Sequence, residues 1–450
     1  MWPCAKDKKT VLERAKIFAR GLKIPLLQGG MGVAISLGVL AGTVASFGAM
    51  GTVSAVIPGY DDPGYARNPQ AVNRTALGRE VRRALEIADG NGVVAVNVMC
   101  ALTDYEGLVK AAVDAGAQAI VCGAGLPLGL PGLVEDPDVM LAPIVSSARA
   151  ARVISDKWQR NYERRADFMV VEGPLAGGHL GFKPAELTAE GSAEGTAQGV
   201  TLTEILTEVV AWRDDLEREE GVYIPLFAAG GIRTAAEAAE LMALGADGIQ
   251  VGTPFIATVE SNASAAFKEH LIAASSADVQ VIQSPVGMPG RALDSPLLRR
   301  IATEGRQAPS RCYNCLKMCD PKTTLYCIQN ALVAAVRGDA DAALFFSGSD
   351  IDGIDRITTV REVIANFFPE EPAVSSFGAS ADNCVVRAAG SLDSAGSSGD
   401  LGDDSGTFVT SADCIGNSAT SADCTGTFAS NVAYDDARES GTDDNAREFV

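Results

Sequence analysis

The stretch from Asp167 to Phe182, DFMVVEGPLAGGHLGF, changes character halfway along. Phe168 to Val171 is a short apolar run with β-branched content, the composition of a strand buried on both faces. Gly173, Pro174, Gly177 and Gly178 then turn the chain into a loop where backbone can approach a flat or anionic ligand, because glycine has no Cβ and tolerates positive φ. The loop ends at His179, one of two histidines in 450 residues. A histidine there, past the C-terminal end of a buried strand, stands where an α/β barrel places a catalytic base or hydrogen-bond donor. A histidine that only caps the loop fits the spacing equally.

Working outward, similar apolar runs recur with helical stretches between them. The strands expected are Pro25 to Gln28, Gly51 to Val56, Val93 to Val98, Ala119 to Cys122, Pro143 to Ser146, Phe168 to Val171, Pro225 to Ala228 and Gly248 to Val251. Helices are expected over Ala71 to Asp89, Tyr105 to Ala115, Ser147 to Arg164, Leu202 to Glu219 and Ala235 to Leu244. Eight strands in this alternation predict an α/β fold of the (β/α)8 TIM-barrel type, and no strand-GxGxxG-helix fingerprint supports an open doubly wound sheet. Ile35 to Ile57 is uncharged, but glycines at 38, 42, 48 and 51 divide it, so it parses as a buried helix and strand rather than a membrane span. His270, in the helix-like stretch FKEHLIAAS, reads as a surface residue.

Four parts are expected: an N-terminal segment over 1–23, the barrel over 24–300, a helical, cysteine-rich C-terminal addition over 301–368, and a disordered acidic tail over 369–450. The net charge of −20 disfavours nucleic acid and anionic membranes as partners. From Glu371 onward 14 acidic residues face 3 basic ones, so that segment alone carries −11 of it. The opening 25 residues lack the apolar core of a signal peptide, which predicts a cytoplasmic protein. Residues 183 to 201, polar and small, follow the histidine loop directly and read as a surface loop or a lid.

Barrel strand ends converge on one mouth, where the loops after strands seven and eight commonly bind phosphate. Here those loops are Ala229-Gly230-Gly231 and Gly252-Thr253, which offer unobstructed backbone N–H groups and one hydroxyl. A second constellation, Cys312, Cys315, Cys319 and Cys327, has the spacing C-x2-C-x3-C-x7-C. Without a secretory signal, such spacing suits a zinc ion, an iron–sulfur cluster or reduced structural thiols. The chain repeats TSADC at Thr410 and Thr420.

The loop VEGPLAGGHLG resembles the signature loop of the nitronate monooxygenases, formerly called 2-nitropropane dioxygenases, a family of FMN-dependent barrels related to enoyl-acyl-carrier-protein reductase II. The segments IPLLQGGMG (24 to 32), AAGGIRT with ADGIQVGTPFIAT (228 to 258) and SPVGMPGRAL (284 to 293) resemble the same family in the same order. The resemblance implies that Gly29, Gly30 and Met31 lie along the flavin ring, that Asn97 hydrogen-bonds it, and that Gly177 and Gly178 pack near it. Gly230, Gly231, Gln250, Gly252 and Thr253 would hold the phosphate. Glu172 departs from the monooxygenases, which carry Gln there, and matches the reductases.

His179 would be the catalytic residue, removing the α-proton of a nitroalkane so that the nitronate is oxidised with O2 to a carbonyl compound and nitrite. The related alternative is an NAD(P)H-dependent FMN enoyl-thioester reductase, in which the same histidine would bind or protonate substrate. An iron–sulfur centre at the cysteines would favour that alternative, since it could relay electrons to FMN. A non-catalytic flavin-binding protein is the alternative of another class.

Overall fold

A computed structural model describes residues 15–187 and 199–369. Most of the expected lid loop, and the acidic tail with its TSADC echo, lie outside the described residues.

Eight parallel strands close into a barrel: β1 (Leu26–Gln28), β2 (Met50–Ser54), β3 (Val93–Met99), β4 (Ala119–Gly123), β5 (Met140–Val145), β6 (Met169–Glu172), β8 (Leu226–Ala229) and β9 (Gly248–Val251), with β9 pairing back onto β1. Between β6 and β8 lies β7 (Gly178–His179), outside the barrel. All eight expected strands are present, although β5 begins three residues before the predicted Pro143. The connecting helices include Gly38–Ser46, Pro69–Ala88, Tyr105–Asp114, Ala148–Tyr162, Leu202–Glu220 and Ala235–Ala243. Between β4 and β5 the chain makes only a short turn of 3-10 helix at Leu130–Leu133. The uncharged Ile35 to Ile57 stretch resolves into a buried helix and β2, and no described helix is long and apolar enough to cross a membrane.

The strands read as continuous apolar runs because both faces are covered. Val93, Ala95, Val121, Phe168, Val170 and Phe227 fill the barrel interior, whereas Val94, Val96, Ile120 and Val171 face the helices. At the N-terminal end of the barrel, Ile17 and Leu22 join the interior cluster and Phe18 stacks on Phe227. An Ala–polar pair recurs there before three strands. Gln118 accepts from the Val94 N–H at 2.7 Å, Asp167 from Leu141 at 2.8 Å, and Asp247 from Leu226 at 2.9 Å. In each case the polar residue at the foot of one strand satisfies a donor among the first two residues of the strand before it, a group that would otherwise be buried and unpaired.

The Asp247 site is the most enclosed of the three. Its carboxylate accepts from Tyr223 Oη and from Arg213 Nη1 at 3.2 Å, and the Arg213 side chain is wholly buried. Truncating Asp247 takes away one of the two carboxylates on that buried guanidinium, Asp214 remaining at 2.7 Å, and leaves the Leu226 N–H without its acceptor, so Asp247→Ala is expected to cost about 1–3 kcal/mol, measured as a lowered urea midpoint. Asp167, whose ion pairs with Lys16 and Arg164 are partly exposed, is expected to cost less on the same change.

After the barrel, β10 (Val279–Gln283) and β11 (Pro289–Leu293) form an antiparallel hairpin, and β11 pairs with β7, Gly290 opposite His179. Helices Ile328–Arg337 and Val360–Phe367 follow. His270 is half-buried rather than a surface residue. Its ring packs 4.7 Å from that of Phe345 and its Nε2 lies 2.9 Å from the Asp294 carbonyl, contacts made by chain that the helix pattern alone does not reveal.

Candidate active site

The expected site residues gather at the C-terminal mouth of the barrel in two connected groups. In the first, β1 runs out through Gly29, whose N–H donates to the Val251 carbonyl at 2.8 Å, and Gly29 lies against the Gln250 side chain. Gly30 abuts Asn97 so closely that a Cβ there would stand 2.3 Å from the Asn97 Cβ. Met31 approaches Gly252, with its sulfur 3.7 Å from where a Cβ on that glycine would be. The ends of β1, β3 and β9 therefore meet in one surface kept low by glycine.

The second group is built on the loop from Gly173 to Gly178. Gly230 and Gly231 both take positive φ, +97° and +79°, and tuck against Ala176 and Leu175 respectively. Gly177 meets the backbone of Ser347 and Gly348. The Gly348 N–H donates to Thr253 Oγ1 at 2.9 Å and the Ser349 N–H to the Leu175 carbonyl at 3.1 Å. Ser347 to Asp350 thus bridge the loops after β6 and β9, an element the sequence reading did not include. The hydroxyls of Ser347 and Ser349 are buried with no hydrogen-bond partner among the described residues, as is Asp350 Oδ1, while Asp350 Oδ2 pairs with Arg233 at 2.6 Å.

His179 stands at the far end of the same loop, on β7. Pairing with β11 brings the hairpin beneath it, so that its Nε2 lies 2.8 Å from Ser284 Oγ and its ring meets Phe346 edge-on at 5.1 Å. Burial lowers its pKa to about 4, below the near-neutral value expected for a general base. The imidazole is accordingly neutral through the whole physiological range. Ser284 and Phe346 were not singled out by sequence. Ser284 lies in SPVGMPGRAL, but 105 positions separate it from the histidine, and only the strand pairing joins them.

Arg291 fixes the loop from within. It is buried, and its Nη1 donates to the carbonyls of Pro174 and Ala176, the latter at 2.8 Å. Its charge also bears on Glu172. Burial raises the Glu172 carboxyl to about 7, against the opposing pull of the Gly181 N–H and Arg291. Because the folded pKa lies above the ordinary 4.5, the protonated form contributes stability that is complete below that value and is lost as pH rises through about 7. The melting temperature of Glu172→Gln, measured from about pH 5 to about pH 8, is therefore expected to gain on that of the unsubstituted protein as pH rises. A constant difference would show that Glu172 does not titrate in this range.

A barrel whose mouth joins a glycine-lined face to glycine loops after β8 and β9, with an imidazole at the edge, has the build of an FMN-dependent oxidoreductase. Residues 14–370 match the nitronate monooxygenase family model, and the chain belongs to that family. It is 26% identical over 281 residues to Rv1533, a Mycobacterium tuberculosis protein that bears a monooxygenase name, covering 59% of this chain and 62% of that one. It is 23% identical over 285 residues, 63% of this chain and 67% of the relative, to the Rhodococcus jostii (3aS,4S,5R,7aS)-5-hydroxy-7a-methyl-1-oxo-octahydro-1H-indene-4-carboxyl-CoA dehydrogenase. The chain thus spans less than two thirds of the length of Rv1533.

Two solved structures share the fold. FabK from Thermotoga maritima superposes with a TM-score of 0.57 at 24% identity, over 80% of this chain and 94% of that one. Nitroalkane oxidase from Streptomyces ansochromogenes gives 0.55 at 21%, over 77% and 96%.

Proposed function

We propose that this protein is a nitronate monooxygenase that holds FMN across the two glycine groups and uses O2 to convert alkyl nitronates to carbonyl compounds and nitrite. The observation that carries the reading is the placement of His179, held by Ser284 and Phe346 at the end of the loop that also contacts Gly230 and Gly231.

The residues present suit the cofactor. The low surface at Gly29 and Gly30 would suit a flat ring, with Asn97 and Gln250 beside it as polar groups, and Met31, Gly177 and Gly178 would lie near it. Gly230, Gly231, Gly252 and Thr253 suit a phosphate, which would also engage the unpartnered hydroxyls of Ser347 and Ser349. Arg233 offsets the charge of Asp350 next to them. When bound, FMN supplies the electron transfer to O2 that no side chain can perform.

The chain's own part is proton removal and orientation. With its proton on Nδ1, His179 accepts the Ser284 O–H at Nε2, and a nitroalkane α-carbon would displace that hydroxyl and pass its proton to the same nitrogen. The product pair, imidazolium and nitronate, is mutually attractive, which offsets the low basicity that burial imposes.

Glu172 favours a second reading, an NAD(P)H-dependent reduction of an enoyl thioester. A carboxyl that is still partly protonated at neutral pH is a hydrogen-bond donor, which Gln at this position would also be, but only the carboxyl can give up its proton. Anaerobic mixing of the FMN-loaded protein with an alkyl nitronate, and separately with NADH or NADPH, tests the two readings. Bleaching of the flavin band by nitronate, followed by nitrite on admission of air, supports the first. Bleaching only by a nicotinamide would replace it with the second, and a protein that cannot be loaded with FMN would sink both in favour of a role without flavin.

A further inference from the structure

The four clustered cysteines take no part in the mouth described above, and their surroundings have the features of a site. Cys312, Cys315, Cys319 and Cys327 all line one cavity, with Tyr313, Thr324 and Ile328 among the other walls. All four are free thiols, and they lie near enough to act electrostatically on one another. The segment that carries them has little regular structure of its own. It is pinned instead by hydrogen bonds to the loop after β3, from the Thr103 N–H to the Cys315 carbonyl at 3.1 Å and from the Lys317 N–H to the Ala101 carbonyl at 3.0 Å. On its other side, Arg306 donates to the Thr324 carbonyl at 2.9 Å.

Two details narrow the ligand. Among the described residues no three His, Cys, Asp or Glu side chains are grouped so that they could hold a metal ion, so the sulfurs do not converge as a mononuclear zinc site requires. A cluster of several irons bridged by sulfide takes its thiolates from around a shared core rather than on one ion, and these four cysteines stand around one common cavity. The Asn314 N–H, offered by a residue with φ of +51°, points to Cys312 Sγ at 3.4 Å, the kind of backbone donor that stabilises a ligating thiolate.

We propose that Cys312, Cys315, Cys319 and Cys327 bind an iron–sulfur cluster through four thiolates, at a site separate from the FMN cradle.

The test is made on the full-length chain, expressed with iron supplied and purified without oxygen, or reconstituted anaerobically with ferrous iron and sulfide. Iron and acid-labile sulfide are expected in equal amounts, about two to four of each per chain, with an electron paramagnetic resonance signal after dithionite reduction. Cys315→Ser and Cys327→Ser are each expected to lose the iron, the sulfide and the signal. FMN content, measured on the same samples, reports whether the barrel has folded. Should a variant lose FMN as well, the analysis of the unsubstituted protein decides. Zinc without sulfide in that protein, or four thiols still titratable after reconstitution, would overturn the proposal, and neither result depends on whether the chain oxidises nitronates.

Discussion

His179→Ala is expected to lower turnover of a neutral nitroalkane by about 10²–10⁴-fold, while turnover of the preformed nitronate falls much less. The two substrates differ only in the proton that the imidazole is proposed to take, so the split isolates that step from binding and from flavin chemistry. FMN content is expected to be unchanged, because the ring contacts Ser284 and Phe346 rather than the glycine groups. The pH profile adds a second readout. With the imidazole held near 4, its neutral form is fully populated at neutral pH, so nitroalkane turnover in the unsubstituted protein should show no step at the ordinary value of 6.5. Equal losses on nitroalkane and nitronate would remove His179 from the role of base.

The second large effect is expected at Gly30. A methyl group there would lie 2.3 Å from the Asn97 Cβ and 2.9 Å from its Cγ, well inside contact distance, and both atoms sit on a barrel strand that cannot retreat. Gly30→Ala should therefore cost about 1–3 kcal/mol in overpacking and raise the surface proposed to lie along the flavin ring. The expected outcome is protein that purifies pale and takes up added FMN about 10²-fold more weakly, an affinity change of roughly 2.7 kcal/mol. Asn97→Gly in the same chain opens the space. It should restore much of the lost stability without the hydrogen bond that Asn97 is proposed to give the flavin. Gly30→Ala protein that binds FMN as well as the parent would show that the ring lies elsewhere.

The barrel was legible because its strands are buried on both faces, so Val93 to Val98 and Gly248 to Val251 stand out as apolar runs without any need of periodicity. The residues of the cradle were legible for a related reason: Gly30, Gly230 and Gly231 mark places where a Cβ would collide or φ is positive. The hairpin was harder to see. Its second strand, Pro289 to Leu293, contains Pro and Gly, which have low strand propensity, and beyond its hairpin partner it pairs with residues more than a hundred positions away. Ser284, Arg291 and the Ser347 to Asp350 bridge were missed on the same grounds. Their roles arise from long-range pairing, which local composition does not encode. The feet of the strands were partly visible, as Ala-Gln and Ala-Asp before β4, β6 and β9, but the pattern gains meaning only once the neighbouring strand's N–H is seen to need an acceptor.

The ribbon of β7, β10 and β11 separates the molecule's inheritance into two parts. The barrel carries the glycine cradle, whereas the histidine and its hydroxyl partner ride on a small appendage whose ties to it include the loop after β6 and the Arg291 guanidinium. Changes in the hairpin can therefore retune which proton is taken, or whether one is taken at all, without altering the strands that would hold the flavin. A lineage built in this way can diversify its substrates while keeping one cofactor. For the same reason the hairpin from Val279 to Leu293 is the natural segment to exchange when grafting new chemistry onto this scaffold.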